Sequence, residues 1–187
     1  MAEILKGAPV TEKLNQETME IVGMLSERGI TPCLAIVKAG ERAEDASYEK
    51  GAVKRCAQVG IDTKIFSCEK EADLIGTLNI LSMDETVSGI LLMRPLPADM
   101  NEEKVLKHLS PDKDVDGCTS GSLAGVYAGK SSGFPPCTAE AALEVLKFYE
   151  VPLSGADVTV LGRSLVVGRA AAMMLLKENA TPTICHS

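Results

Sequence analysis

The chain has no tryptophan, and its aromatic content is 3%, three tyrosines and three phenylalanines in 187 residues. With so few rings, each one matters for packing. Histidine is also scarce: only His108 and His186 occur, and the six cysteines at 33, 56, 68, 118, 137 and 185 never form a C-x-x-C pair. Zinc-ligand spacing is therefore missing, so no metal site is expected and the thiols are read as buried or bystander groups. No G-x-S-x-G elbow, Walker lysine loop or H-E-x-x-H is present, which leaves a hydrolase triad little to stand on. No stretch of about 18 apolar residues occurs and no charged-then-apolar leader, so neither membrane insertion nor secretion is expected and the chain is read as cytoplasmic. Its formal charge is −7 with the cations scattered, which argues against a nucleic-acid surface.

What is present is a globular composition, 45% hydrophobic and 24% charged, enough for one large or two small cores. The chain is organised around Asp157 to Gly168, DVTVLGRSLVVG. Val158, Val160 and Leu161 form a short run suited to a parallel strand covered on both faces, with Gly162 behind it. A helix is expected at once from Leu165 to Lys177, rich in strong helix formers and ending on a cation. A glycine between strand and helix lets backbone approach a ligand, and the first helical N–H groups carry partial positive charge, which together make an anion site. The dinucleotide fingerprint is G-x-G-x-x-G; here Gly162 and Gly168 match its ends and Ser164 stands at the second glycine. The same glycines would also serve a tight turn with close helix–sheet packing. The next strand, Thr183 to Cys185, ends at His186-Ser187 with no carboxylate for a ribose 2′-hydroxyl. Arg163 and the hydroxyl of Ser187 suit a 2′-phosphate, favouring NADP while leaving NAD open.

Ahead of this turn, strands and helices alternate. Val10 to Arg28 reads as an amphipathic helix with apolar positions at Val10, Leu14, Met19, Ile21, Val22 and Leu25. Strands are expected over Pro32 to Val37, Ile61 to Phe66 and Val87 to Leu92, and helices over Glu44 to Val59 and Glu69 to Met83. This order predicts a parallel sheet. The two prolines of MRPLPADMN force an extended loop at the carboxyl end of the third strand, the edge where open α/β sheets bind ligands. Asn101 should cap a short helix to His108. SPDKDVDG, 110 to 117, reads as a loop too acidic for ordinary core, and Cys118 to Gly133, rich in Gly and Ser, as a surface segment. A helix from Ala139 to Tyr149 should follow with Thr138 as its N-cap.

These elements predict an α/β protein of two domains: an N-terminal parallel α/β domain over 1–138 and a Rossmann-like cofactor domain beginning at 139–187. Two strands and one helix cannot bury both faces of a doubly wound sheet, so about 100 further residues are expected for a complete nucleotide-binding domain.

The runs PCLAIVKAGE, the tyrosine helix leading to CAQVGI, the PLP loop, KDVDG, PPCT, VLGRSLVVG and LLKENATPTICHS resemble, in order and spacing, the bifunctional methylenetetrahydrofolate dehydrogenase/methenyltetrahydrofolate cyclohydrolase family. The resemblance covers the whole chain and corresponds to about the first two thirds of a member. It implies a homodimeric enzyme of one-carbon metabolism, and so of purine biosynthesis, that binds tetrahydrofolate derivatives. Such an enzyme oxidises 5,10-methylenetetrahydrofolate with NADP and hydrolyses the methenyl product. It also implies that Tyr48 packs against the pterin and Asp116 binds its polar edge. Met93, Pro95, Leu96 and Pro97 would line the folate site, and Gly162, Arg163, Ser164, Gly168 and Ser187 the cofactor.

Two positions depart from the family. Its lysine four residues after the tyrosine is Ala52 here, and its glutamine before the PLP loop is Met93. Lys50 and Lys54 are rotated by about 200° and about 120° from Tyr48 on a helix, so neither shares its face. Hydride transfer needs chiefly alignment, whereas hydrolysis needs a proton moved, help worth about 10²- to 10⁴-fold. The expectation is a retained dehydrogenase with a weakened or lost cyclohydrolase, Lys54 being the candidate substitute. Read without the resemblance, Tyr48 is a half-buried helix aromatic, Asp114 and Asp116 are turn caps, Lys54 is solvated and Met93 is core. A non-catalytic folate- or nucleotide-binding regulatory domain and a monofunctional NAD-linked dehydrogenase are the alternatives.

Overall fold

A computed structural model describes residues 3–40 and 43–186. The element order is α1 (Gly7–Glu27), β1 (Cys33–Ala39), α2 (Ala43–Val59), β2 (Asp62–Cys68), α3 (Glu71–Met83), β3 (Gly89–Leu92) and α4 (Glu102–Leu106). A 3-10 turn, Pro111–Lys113, leads to α5 (Ser120–Ala128), α6 (Cys137–Phe148) and β4 (Asp157–Leu161). A π-helical turn, Leu165–Arg169, then opens α7 (Ala170–Lys177), and β5 (Thr181–Cys185) follows. The expected alternation of strands and helices is thus present, in two sheets.

Contacts divide the chain into two compact units, 14–114 and 1–13 with 115–187. In the first, the strand order is β2-β1-β3 and every pairing is parallel, with Ile36 opposite both Ile65 and Leu91. The apolar run of β1 is the core: Ala35, Ile36 and Val37 are fully buried, as are Leu74 and Leu78 of α3 and Ile90 of β3. Central parallel strands have no solvent face, which is why this one reads as a continuous apolar run. α1 departs from its expected stripe, because Leu14, Met19 and Ile21 are exposed. The less exposed residues after Val10 are Asn15, Thr18, Val22 and Leu25, a face at i, i+3, i+7 and i+10 that includes two polar side chains.

In the second unit β4 and β5 pair in parallel, with Val160 opposite Ile184. Val158, Val160 and Leu146 pack on a cluster of Leu143, Leu153, Leu175 and Ala180. Among the described residues Val158 and Val160 of β4 are half-buried and Asp157, Thr159 and Leu161 exposed.

The segment 118–133 does not wander over the surface. Thr119 Oγ1 accepts from the N–H of Ser122 and caps α5, whose Ser122 and Gly125 are buried. A Cβ at Gly125 would strike the carbonyl of Ser132, and one at Gly133 would lie 2.6 Å from Ser122 Oγ. The small residues are there because helix and following loop touch backbone to backbone. α6 likewise starts earlier than expected. Its N-cap is Pro136, whose carbonyl accepts from the N–H of Ala139 and Glu140, so Thr138 lies inside the helix and caps nothing.

Candidate functional site

In the 14–114 unit the carboxyl edge of the sheet gathers several of the expected folate residues. Met93, 5% exposed, extends the ladder by donating its N–H to the carbonyl of Val37 at 2.8 Å. The register Val37–Leu92 puts Met93 beside Lys38. Lys38 Nζ lies 2.7 Å from Glu49 Oε2, with the two side chains 23% and 16% exposed. Glu49 immediately follows Tyr48, so this mostly buried ion pair ties the end of β1 to the helix that carries the tyrosine. The sequence reading missed it; a lysine inside an otherwise apolar central strand was the available signal.

The loop after β3 is fastened on both sides. Its Arg94-Pro95 peptide is cis, and Arg94 pairs with Glu102 at 3.1 Å. Asn101 caps α4 as expected, accepting from the N–H of Lys104. Asn101 N–H and the ammonium of Lys104 reach Glu71 at 2.7 and 2.6 Å and hold its carboxyl below the usual carboxylate range. Pro95 is exposed, Leu96 and Pro97 half-buried, and Pro97 packs where a Cβ on Gly40 would stand, 3.5 Å away.

Tyr48 is 61% exposed and lines a cavity of about 780 Å³ together with Ala52, one helical turn on. Asn15 and Thr18 of α1 and Ser47, Arg55 and Cys56 of α2 complete its polar wall. Burial pushes the Cys56 thiol up, so it stays protonated at neutral pH. Lys54 is exposed and is not among the lining residues. Its rotation away from Tyr48 is what the helical period requires.

The KDVDG loop straddles the line between the units. Asp114 is fully buried, and its backbone bridges Ile90 in parallel, so this end of the acidic loop belongs to the core after all. Asp116 is half-buried. Gly117 follows at φ +62, where a Cβ would sit 2.5 Å from the backbone of Pro135 and Pro136. Glycine is required there twice over, by conformation and by space.

The turn expected to hold the cofactor lies at the carboxyl ends of β4 and β5. Gly162 has φ +119, and nothing lies within 4 Å of where its Cβ would be. Leu161, Gly162, Arg163, Cys185 and His186 border an open hollow of about 610 Å³. Gly168 does different work, since a Cβ there would collide with the carbonyl oxygen of Gly162. The helix after the turn is not α from its first residue. Arg169 N–H donates to Ser164 O, five residues back, and Arg169 Nε donates to Arg163 O. That wider first turn accompanies the close approach of Gly168 to Gly162. Arg163 and Ser164 are exposed, and Ser187 lies outside the described residues. An open glycine bend at a strand end, an exposed guanidinium beside it and a helix start make a fit for the phosphates of a dinucleotide. Among the described residues no group of three metal-ligating side chains occurs, and no helix is long and apolar enough to cross a membrane.

Residues 5–116 match the family model for the tetrahydrofolate dehydrogenase/cyclohydrolase catalytic domain, and residues 136–187 the model for that family's NAD(P)-binding domain. The bifunctional protein FolD of Alkaliphilus oremlandii is 45% identical over 190 residues, covering all of this chain and 67% of that protein. The crystal structure of the bifunctional FolD dehydrogenase/cyclohydrolase of Campylobacter jejuni superposes with a TM-score of 0.93 at 33% identity, over 98% of this chain and 66% of that one. The Trypanosoma brucei dehydrogenase-cyclohydrolase, complexed with NADP cofactor and inhibitor, aligns at TM-score 0.89 and 27% identity, over 99% of this chain and 64% of that one. The chain thus spans about two thirds of the length of the relatives it matches. With the model of the catalytic domain met first and that of the NAD(P)-binding domain second, the chain belongs to the tetrahydrofolate dehydrogenase/cyclohydrolase family.

Proposed function

We propose that this protein oxidises 5,10-methylenetetrahydrofolate to the 5,10-methenyl form with NADP, and that its cyclohydrolase step is weakened or lost. The carrying observation is the match of residues 5–116 and 136–187 to the two family models, together with a glycine bend that suits a dinucleotide. The oxidised nicotinamide, when bound, supplies the hydride acceptor. In this reading residues 1–138 hold the folate: Tyr48 stacks on the pterin, Asp116 binds its polar edge, and Met93, Pro95, Leu96 and Pro97 wall the site. Residues 139–187 begin the cofactor part, in which Gly162 and Ser164 approach the phosphates and Gly168 lets the helix close on the bend. Arg163, with Ser187, answers a 2′-phosphate, in keeping with the NADP complex of the trypanosomal relative.

Hydride transfer from the methylene carbon is driven by a nitrogen lone pair and asks the protein mainly for alignment. Hydrolysis asks for a proton carrier, and Ala52 and Met93 carry neither charge nor proton. Lys54 is the remaining candidate for that work on α2, although it stands away from the Tyr48 cavity. The finer reading, a cytoplasmic homodimer serving one-carbon metabolism and purine biosynthesis, rests on the family likeness and is checked by light scattering and cell fractionation.

The deciding experiment supplies methylenetetrahydrofolate and each nicotinamide to the full-length natural protein and follows reduced cofactor and methenyl absorbance together. Reduction of NADP with accumulating methenyl product is expected. Absence of saturable turnover refutes the dehydrogenase, and methenyl hydrolysis at the rate of a lysine-containing homologue refutes the loss.

A further inference from the structure

Helices α2 and α3 both pack on β1, but they are held there in different ways. α3 turns Leu74, Leu78 and Leu81 into the core, all of them buried. Along α2 the buried apolar residue among those described is Val59, at its far end, and the half that carries Tyr48 has the carboxylate Asp45 as its buried side chain. Ala46, Ser47 and Gly51 of that half are small and exposed, and a glycine inside a helix weakens it. Apolar packing therefore leaves the rotation of this half of α2 loosely set.

A charge pair sets it instead. Lys38 comes from the end of β1, the strand with a parallel neighbour on each edge, and its ammonium meets Glu49 at 2.7 Å with most of both side chains withdrawn from water. Glu49 stands about 100° round the helix from Tyr48, so a helix held at 49 presents the ring in one direction, and a slip of about 20° would carry that ring about 2 Å. A buried pair adds little stability over apolar residues of the same volume, but it admits one geometry, and fixing a register is its best-attested use. Neither Lys38 nor Glu49 lines the Tyr48 cavity, so whatever they do for a ligand there is done through the helix. We propose that Lys38 and Glu49 are positioning residues for the folate site, fixing the rotation of α2 and with it the place where the Tyr48 ring meets the pterin. The inference rests on the reading that Tyr48 receives the pterin, and it gives that reading two residues for which it had no role.

The test uses the full-length natural protein, with methylenetetrahydrofolate and NADP for turnover and tetrahydrofolate, which lacks the reacting carbon, for binding by calorimetry. Lys38→Met combined with Glu49→Leu keeps the volume and removes the pair, so the melting temperature should stay close to that of the unsubstituted protein. Tetrahydrofolate should nevertheless bind about tenfold more weakly, the worth of one ring–ring contact, and KM for the folate should rise by a similar factor. The change should fall on that KM and leave KM for NADP where it was. Glu49→Asp keeps both charges and shortens the tether by one methylene, and should raise the folate KM about threefold without lowering the melting temperature. A double variant with unaltered folate affinity, or with folate and NADP weakened alike, reduces the pair to a structural one and overturns the proposal while the dehydrogenase reading stands. If the double variant does not fold, Glu49→Asp decides, and an unchanged folate KM in it overturns the proposal. No folate turnover in the unsubstituted protein, or a Tyr48→Ala variant with unchanged KM, overturns the underlying reading instead.

Discussion

The ends of two parallel strands, β1 and β4, hold different chemistry. β1 has a parallel neighbour on each edge and helices α2 and α3 packed on it, its Ala35, Ile36 and Val37 are fully buried, and its end carries the Lys38–Glu49 ion pair. Among the described residues β4 pairs with β5, its Val158 and Val160 pack on Leu143, Leu153, Leu175 and Ala180, and it ends in the bend of Gly162, against which Gly168 packs. The lesson is that two strands of similar apolar composition can lead into a charged pair or into a glycine bend, according to the few residues at their ends.

The contrast is broken or sharpened most strongly by truncating the centre of β1. Ile36→Ala should cost about 4 kcal/mol through the cavity it leaves. Urea unfolding measures it, and a loss of about 1 kcal/mol or less would take Ile36 out of the core. Next is the ion pair inside the buried strand. Lys38→Met strands Glu49 and should cost about 3 kcal/mol, while Lys38→Met with Glu49→Leu should recover most of that, since apolar residues of similar volume replace buried pairs well. A double-mutant cycle reads the difference directly. In the other unit, Gly168→Ala forces the helix off the carbonyl of Gly162 and should lower NADP affinity about tenfold with a loss of about 2 kcal/mol in stability. Calorimetric titration of NADP, with the melting temperature, tests this.

The smallest expected effect separates the units by pH. Glu71, held low by Asn101 N–H and Lys104, and Asp84, held low by the hydroxyl and N–H of Thr86, both lie in 14–114. Each contributes stability that is present above the ordinary carboxylate range and lost as pH falls through its lowered folded value. Glu140 in α6 is the reverse: burial, then Glu144, raise it. It therefore subtracts stability at neutral pH, and the deficit disappears as pH falls through its raised value. Glu71→Gln and Asp84→Asn should flatten the acid limb of a urea-midpoint profile. Glu140→Gln should raise the midpoint at pH 7 and leave it unchanged below about pH 4.

Much of the fold was legible because local patterns carried it. β1 and β3 announce themselves as apolar runs, Asn101 as a cap, and the glycine bend by its place between strand and helix. α5 was not legible, because glycine and serine favour loops on local grounds and the helix exists through a cap at Thr119 and the pressure of Ser132 and Gly133 against it. Of the candidate site, Gly162 was legible from its spacing and Tyr48 only through the family resemblance. The Lys38–Glu49 pair and the part of Arg55 in the cavity depended on contacts across elements. α1 failed as a simple amphipathic stripe for the same reason, since its inward face includes Asn15 and Thr18.

By itself the sequence determined the alternation of strand and helix, the bend at Gly162, the loop at Pro95 to Pro97 and the absence of a lysine at position 52. Each is set by residues close together in the chain: periodicity, backbone freedom and residue identity. Tertiary structure alone decided that Asp114 is buried, that Gly168 rests on the carbonyl of Gly162, and that Arg55 lines the same cavity as Tyr48. Burial and cavities are properties of surfaces brought together from distant segments, and local preference does not specify which surfaces those are.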